Sequence, residues 1–182
     1  MQPNRTNRKA RHVMPALAAT LLATAAVLLS TATAALAGGG LSTSPKSGKP
    51  GKARLVHGKA IPPANAPPRV VKAIKAANRI RKTSYEWGGG HGSFKDNGYD
   101  CSGAVSYMLH GGRMLNAPLT SGSLASWGRR NKGKWITVYA NAGHTYAVVA
   151  GLRWDTSGGP GPRWHRDMRS RAGFAVRHYR GF

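Results

Sequence analysis

The chain carries one cysteine, Cys101, among its 182 residues, and this limits how the fold can be stabilised. A single cysteine cannot form a disulfide within its own chain, so an apolar core must hold the folded part together. The thiol itself has three open roles: a buried and inert side chain, a bond to another molecule, or a reactive group.

The residues around Cys101 favour the reactive group. Asp100 precedes it, and an apolar helical pattern follows from Ser102 to about Leu109. Asp100 is a suitable N-cap for this helix, which would place the sulfur in the first helical turn. The backbone N–H groups and the helix dipole favour a thiolate at that position.

The N-terminus has the order of regions that is typical of a secretory signal peptide. A basic leader is followed by an uncharged apolar stretch from Val13 to about Leu29, and Ala35-Leu36-Ala37 has the small-x-small pattern of a cleavage site. We therefore predict a signal peptide over residues 1–37 and a secreted or cell-wall-associated protein. An uncleaved membrane anchor is the alternative, although the apolar run is shorter than the roughly 20 residues of a membrane span.

The chain is strongly basic, with 28 Lys and Arg residues against 5 Asp and Glu and a formal net charge of +23. Such a charge indicates either an anionic partner or a solvated basic surface. For an exported protein, the phosphates and carboxylates of a cell envelope are the expected anions. We therefore expect anionic envelope polymers as partners, no nucleic acid, and a monomeric protein.

Two further segments follow the leader. Residues 38–67 are rich in Gly, Ser, Lys and Pro and are predicted to be a disordered basic linker, because such a segment buries little apolar surface. Residues 68–182 are predicted to fold as one α+β domain, with N-terminal helices packed on a small antiparallel sheet. The pattern predicts helices over about 69–82 and 102–109, one short helix among the loops of 113–134, strands over 135–140, 145–150, 152–155 and 173–178, and a loop over 156–170.

A thiol nucleophile needs a base and a group that orients the base. His144 is the candidate base, because it begins a predicted strand directly after a turn, from where its ring can face a helix N-terminus. Asp155 ends the following strand and is the candidate orienting group, since a carboxylate there would hold the imidazole tautomer. A surface aspartate paired with an arginine is the alternative for Asp155. His91, in a glycine loop, is a further residue within reach of a substrate.

Three motifs together resemble the NlpC/P60 family of cell-wall cysteine peptidases: Tyr85-Glu86-Trp87-Gly88-Gly89, Asp100-Cys101-Ser102-Gly103 and Gly143-His144. The resemblance covers about residues 68–156. It implies a papain-like α+β fold and the cleavage of peptide bonds in the stem peptides of bacterial peptidoglycan.

The resemblance also implies roles for single residues. It makes Cys101 the nucleophile and His144 the general base, and Asp155 stands where the family more often has histidine, asparagine or glutamine. Tyr85 matches a tyrosine near the oxyanion, while Asp100 and Ser102 match positions that contact the stem peptide. No metal or cofactor is expected. The strand after the histidine, 145–148, departs from the usual Val-Gly-Ile-Tyr of the family, which affects the expected specificity more than the fold.

Three other functions stay open. A zinc hydrolase would need three or four ligands in a recognisable spacing, and the sequence has neither a His-x-x-x-His nor a paired-cysteine motif. A non-catalytic basic domain could bind an anionic wall polymer, with Cys101 buried as a small apolar side chain. An acyltransferase on the same fold, in which an amine replaces water, would use the same residues.

Overall fold

The computed structural model describes residues 48–182 of the chain. The predicted signal peptide, residues 1–37, and the first part of the predicted linker, residues 38–47, lie outside the described residues. Within the described range, no helix is both long and apolar enough to cross a membrane.

The main elements of the described part are a six-stranded antiparallel sheet and two longer helices. In chain order, the elements are β1 (Arg54–Val56), β2 (Lys59–Ile61), α1 (Pro68–Ile80), α2 (Cys101–Gly111), α3 (Ser121–Leu124), β3 (Arg129–Arg130), β4 (Ile136–Ala140), β5 (Thr145–Val149), β6 (Leu152–Asp155), β7 (Arg163–His165) and β8 (Ala175–His178). The strands of the large sheet pair antiparallel in the order β3-β8-β4-β5-β6-β7. The predicted α+β class with helices and an antiparallel sheet is confirmed.

Helix α1 forms because its apolar residues recur at helical spacing and share one buried face. Pro68 occupies the first turn, where a missing N–H costs no helical hydrogen bond. The buried residues are Val70, Ala73, Ile74, Ala76, Ala77 and Ile80. Each large side chain among them contributes about 1.5–3 kcal/mol when it is fully removed from water. This face packs against α2.

Helix α2 lies between α1 and the sheet, and its position fixes that of Cys101. Val105, Met108 and Leu109 are at most 1% exposed. The indole N–H of Trp154 in β6 donates a hydrogen bond of 3.1 Å to the carbonyl of Ala104. Because Trp154 immediately precedes Asp155, this bond ties the start of the cysteine helix to the strand end that carries the candidate carboxylate.

Part of the predicted linker is folded, which corrects that prediction for residues 54–61. Strands β1 and β2 form an antiparallel hairpin whose turn, His57-Gly58, has positive φ at both residues. Ala60 is buried against α1: its N–H donates to Asn78 Oδ1 at 3.0 Å, and Asn78 Nδ2 donates to its carbonyl at 2.8 Å. Composition favoured a linker because the hairpin has little apolar surface of its own and depends on these contacts.

The predicted loop over 156–170 also contains an element that sequence reasoning missed. Strand β7 pairs with β6, so that Trp164 lies opposite Trp154 with ring centroids 4.9 Å apart. Its three residues lie among glycines and prolines and have no pattern long enough to predict a strand. The two-residue β3 was missed for the same reason, whereas α3 matches the short helix predicted among these loops.

Candidate active site

Cys101 is the first residue of α2, where the predicted N-cap geometry is present. Asp100 is the N-cap, and its Oδ1 accepts a hydrogen bond of 2.7 Å from the N–H of Gly103. The cysteine is 9% exposed, so its side chain is largely buried but not sealed from solvent. As the first helical residue, it has a backbone N–H with no partner within the helix. That N–H is free to donate a hydrogen bond to a substrate oxygen on which negative charge develops.

The structure brings His144 and Asp155 together. His144 directly precedes β5 and Asp155 ends β6, so the antiparallel pairing of these strands places them side by side. Nε2 of the imidazole lies 3.0 Å from Asp155 Oδ1. The aspartate side chain is fully buried, and the histidine side chain is 23% exposed. Their adjacency follows from the strand order that the sequence predicted.

The His144 ring is also next to the side chain of Cys101. The hydrogen bond to Asp155 raises the pKa of His144 most, the neighbouring Cys101 raises it further, and burial opposes both; the result is a pKa of about 9 in place of 6.5. Since Nε2 faces the carboxylate, Nδ1 is the ring nitrogen left to face the thiol. The arrangement is that of a nucleophile, a base and an orienting carboxylate.

Asp155 keeps its negative charge although it is buried. Burial raises its pKa, but hydrogen bonds from His144, from the N–H of Ser157 at 3.0 Å and from Arg169 at 3.1 Å outweigh burial and hold the pKa well below 3.8. Arg153 Nε lies 3.5 Å from Oδ2. Asp155 thus contacts arginines as well as the histidine, but it is buried and is not the surface aspartate of the alternative interpretation.

A cleft of about 400 Å³ opens beside Cys101. Tyr85 lines it and is 45% exposed, and Trp87 at the same cleft is 88% exposed. The pKa of Tyr85 is raised, first by burial and then by the negative charges of Cys101 and Asp100. The cleft is lined by Tyr85, Trp87, Gly88, His91, Asp100, Cys101, Ser102, Thr120, Ser121, Ala142 and Gly143. The three predicted substrate-side residues, Tyr85, Asp100 and Ser102, thus line the same cleft as the thiol.

A hydrogen-bonded group beside the cysteine was not predicted. His91 Nε2 lies 3.1 Å from both Asp100 oxygens and 3.0 Å from Ser102 Oγ, and the Ser102 hydroxyl donates to Asp100 Oδ1 at 3.0 Å. The N–H of Gly88 also donates to Asp100, at 3.2 Å. Asp100 therefore caps α2 and holds the glycine loop against it. The loop has no periodic pattern, so nothing in the sequence indicated which side chain His91 contacts.

The described residues include no group of three or more His, Cys, Asp or Glu side chains placed to hold a metal ion.

The absence of a side chain at Gly103 explains the close packing at the start of α2. A Cβ on Gly103 would collide with the backbone carbonyl of Gly89. The glycine in the Asp-Cys-Ser-Gly motif thus allows the loop to approach the helix that carries the thiol.

Comparison with solved structures identifies proteins of similar fold. The peptidoglycan hydrolase RipB from Mycobacterium tuberculosis is 26% identical, with a TM-score of 0.50 over 65% of this chain and 68% of that chain. The chain is similar in fold to RipB. This agrees with the papain-like α+β fold that the resemblance implied.

Two more solved structures match over shorter parts. A hypothetical invasion protein of Mycobacterium tuberculosis is 23% identical, with a TM-score of 0.48. The match covers 61% of this chain and 62% of that protein. The resuscitation promoting factor interacting protein RipA is 21% identical, with a TM-score of 0.47 over 60% of this chain and 61% of that one. No protein-family model and no curated protein matches the sequence.

Proposed function

We propose that the protein is a secreted cysteine peptidase of the NlpC/P60 family that hydrolyses peptide bonds in peptidoglycan stem peptides. The observation that carries the proposal is the position of Cys101 at the start of α2, beside a His144 ring whose Nε2 lies 3.0 Å from Asp155. The fold similarity to RipB, a peptidoglycan hydrolase, supports a cell-wall hydrolase at a coarser level.

The proposed reaction begins with the removal of the Cys101 proton. Nδ1 of His144 takes it, and because the His144 pKa is about 9 the pair rests near neutral pH as thiolate and imidazolium, with Asp155 stabilising the imidazolium at Nε2. The sulfur attacks a stem-peptide carbonyl carbon, and the C–N bond breaks as His144 donates the proton to the leaving amine. Water, deprotonated by His144, then attacks the thioester; the carboxylic acid product leaves and the thiol is restored.

The negative charge on the attacked oxygen needs donors in the cleft. The N–H of Cys101 and the hydroxyl of Tyr85 are the proposed donors, since Tyr85 lines the same cleft as the thiol. Removing one such donor lowers kcat on the order of 100-fold. Asp100 and Ser102 are proposed to contact the stem peptide in the same cleft, with His91 holding their side chains.

The test is digestion of purified peptidoglycan by the full-length chain, followed by mass analysis of the soluble fragments. We expect fragments with a newly formed stem-peptide amine from the wild type and none from Cys101→Ala. A chelator should leave the fragments unchanged. Fragments that persist with Cys101→Ala but disappear with chelator would point to a metal-dependent hydrolase. Binding without any fragments, equal in wild type and variant, would point to a non-catalytic wall-binding domain.

The same analysis separates hydrolysis from acyl transfer. If water is the acceptor, the product carboxylate is free, whereas a transferase joins it to an amine and the product mass contains that amine. We expect the free acid even when a stem peptide without attached sugars is added in excess, so that its amino group competes with water.

A further inference from the structure

Arg169 lies in the loop between β7 and β8, in a segment to which the sequence assigned no function. Its guanidinium carbon is 5.3 Å from the ring centroid of Tyr146 and 5.5 Å from that of Phe174. The two rings meet edge to face with centroids 5.2 Å apart. A planar guanidinium packs well on aromatic rings, so these contacts hold the arginine in one orientation.

From that orientation, one nitrogen of Arg169 reaches two oxygen atoms. Nη1 donates to Asp155 Oδ2 at 3.1 Å and to Ser157 Oγ at 3.0 Å. Both of these residues also face the imidazole: His144 Nε2 lies 3.0 Å from Asp155 Oδ1 and 3.3 Å from Ser157 Oγ. A single guanidinium therefore fixes both oxygen-bearing side chains that contact Nε2.

The donor and acceptor properties of these groups determine where the proton lies. A guanidinium only donates, so Ser157 Oγ accepts from Arg169 and has a second lone pair for the imidazole. Asp155 is a carboxylate and also accepts. Because the Asp155 carboxylate can only accept, Nε2 carries a proton in the neutral ring as well as in the charged one. The nitrogen without a proton in the neutral ring is then Nδ1, which faces Cys101.

The second arginine beside Asp155 does not have this role. Arg153 Nε lies 3.5 Å from Asp155 Oδ2, and it makes no hydrogen bond to any part of the chain that the structure describes. Another of its nitrogens, Nη1, pairs with Asp167 at 3.1 Å. Arg153 adds positive charge near the carboxylate, whereas Arg169 adds positive charge and also orients Asp155 and Ser157 through hydrogen bonds.

We propose that Arg169 is a positioning residue of the peptidase: by holding Asp155 and Ser157 together, it fixes the His144 tautomer that accepts the Cys101 proton. This inference rests on the proposed function. Arg169 bonds the two side chains that contact the imidazole, so in this proposal it acts through the base.

The first test compares Arg169→Gln and Arg169→Lys with Arg171→Gln, which removes an exposed arginine from the same loop. We expect Arg169→Gln to lower kcat on the order of 100-fold with little change in KM, because a misplaced base loses alignment with the thiol. Arg169→Lys should recover part of kcat, and Arg171→Gln should match the wild type. A higher KM with unchanged kcat would instead make Arg169 a substrate contact and overturn the proposal.

The second test reads the imidazole directly and needs no substrate. Above pH 9, where the ring is neutral, nitrogen-15 shifts of His144 should show a proton on Nε2 and none on Nδ1 in the wild type, and a mixture of tautomers in Arg169→Gln. Iodoacetamide should alkylate Cys101 several-fold more slowly in that variant. If both variant readouts equal those of the wild type, Arg169 does not position the base.

Ser157→Ala, which leaves Arg169 in place, covers the case in which Arg169→Gln disturbs folding, and a double-mutant cycle tests whether the two residues act together. Ser157→Ala removes one of the two oxygen atoms with a minimal change in packing. Because Arg169 acts partly through Ser157, we expect the double variant to lose no more kcat than Arg169→Gln alone. Losses that add in full would show that the two residues act separately and would contradict the proposal.

Failure of the proposed function would be seen differently. In that case the wild type itself would release no fragments from peptidoglycan, while the nitrogen-15 shifts and the alkylation rate would still report whether Arg169 fixes the tautomer.

Discussion

At the scale of single residues, Asp155 shows how a buried carboxylate is kept ionised for use by a neighbour. Its side chain is fully buried, yet His144, Ser157 and Arg169 donate hydrogen bonds to it. Leaving such a charge buried without partners would cost several kcal/mol. These donors therefore make the carboxylate stable in the position where it orients the imidazole.

Replacement of this carboxylate should affect the reaction more than the fold. Asp155→Asn keeps the shape but removes the charge that stabilises the imidazolium, and its amide can turn an N–H toward Nε2. We expect kcat on peptidoglycan to fall by at least about 100-fold. Asp167→Asn is the matched control, because Asp167 is 73% exposed, and it should keep nearly full activity. Equal activity of both variants would exclude Asp155 from the site.

The raised pKa of His144 predicts how stability depends on pH. The folded-state pKa is about 9 and the ordinary value is 6.5, so the folded state binds the proton more tightly. This contribution to the free energy of unfolding is complete below pH 6.5 and is lost as pH rises toward 9. Urea unfolding across this range should show the decline, and Asp155→Asn should flatten it. A wild-type profile without a decline would contradict the His144–Asp155 pairing.

At the scale of elements, the sequence predicted the helices and strands whose residues have a recognisable periodic or β-branched pattern. Helix α1 has apolar residues at helical spacing, and β4, β5 and β6 are β-branched and aromatic runs separated by turns. The β1–β2 hairpin and β7 were missed. Both depend on Asn78, which bonds Ala60 of the hairpin and accepts the indole N–H of Trp164 at 2.9 Å.

The candidate site shows the same difference between residues in elements with a local pattern and residues held by distant contacts. Cys101, His144 and Asp155 could be named as candidates because each stands at the end of a predictable element. His91, Ser157 and Arg169 lie in loops, and their positions are set by long-range hydrogen bonds that leave no local pattern. A local sequence pattern thus reveals the candidate reacting residues more easily than it reveals the residues that hold them in place.

Removal of Asn78 should reveal how these elements depend on it. Asn78→Ala breaks three hydrogen bonds, each worth about 0.5–1.5 kcal/mol, and leaves the Trp164 indole N–H without this acceptor. We expect the free energy of unfolding to fall by about 2–4 kcal/mol, measured by urea denaturation. Asn97→Ala, at an exposed position, is the control and should change it by less than about 0.5 kcal/mol. A cost in Asn78→Ala no larger than in the control would contradict this role.

At the scale of the whole molecule, the excess of basic residues predicts where the protein works. A formal net charge of +23 would attract it to anionic polymers, and such an attraction weakens with salt. We expect binding of the full-length chain to cell walls that carry phosphate polymers to decrease steeply between about 0.05 and 0.5 M NaCl. Walls stripped of those polymers are the control. Binding that responds to neither change would mean that the basic surface is only solvated.

The proposed catalysis and the proposed wall attraction depend on separate features of the molecule. The reacting groups come from α2 and from the paired ends of β5 and β6, and Cys101→Ala should therefore bind walls as the wild type does. This variant separates a peptidase that is held at the wall by its charge from a domain that only binds.

The most direct test of the thiol and imidazole mechanism uses the fact that the chain has one cysteine. The measurement is the rate at which the full-length protein releases new amino groups from purified peptidoglycan, before and after alkylation with iodoacetamide. We predict release from the untreated protein and none once Cys101 is fully alkylated. Undiminished release after complete alkylation would contradict the account.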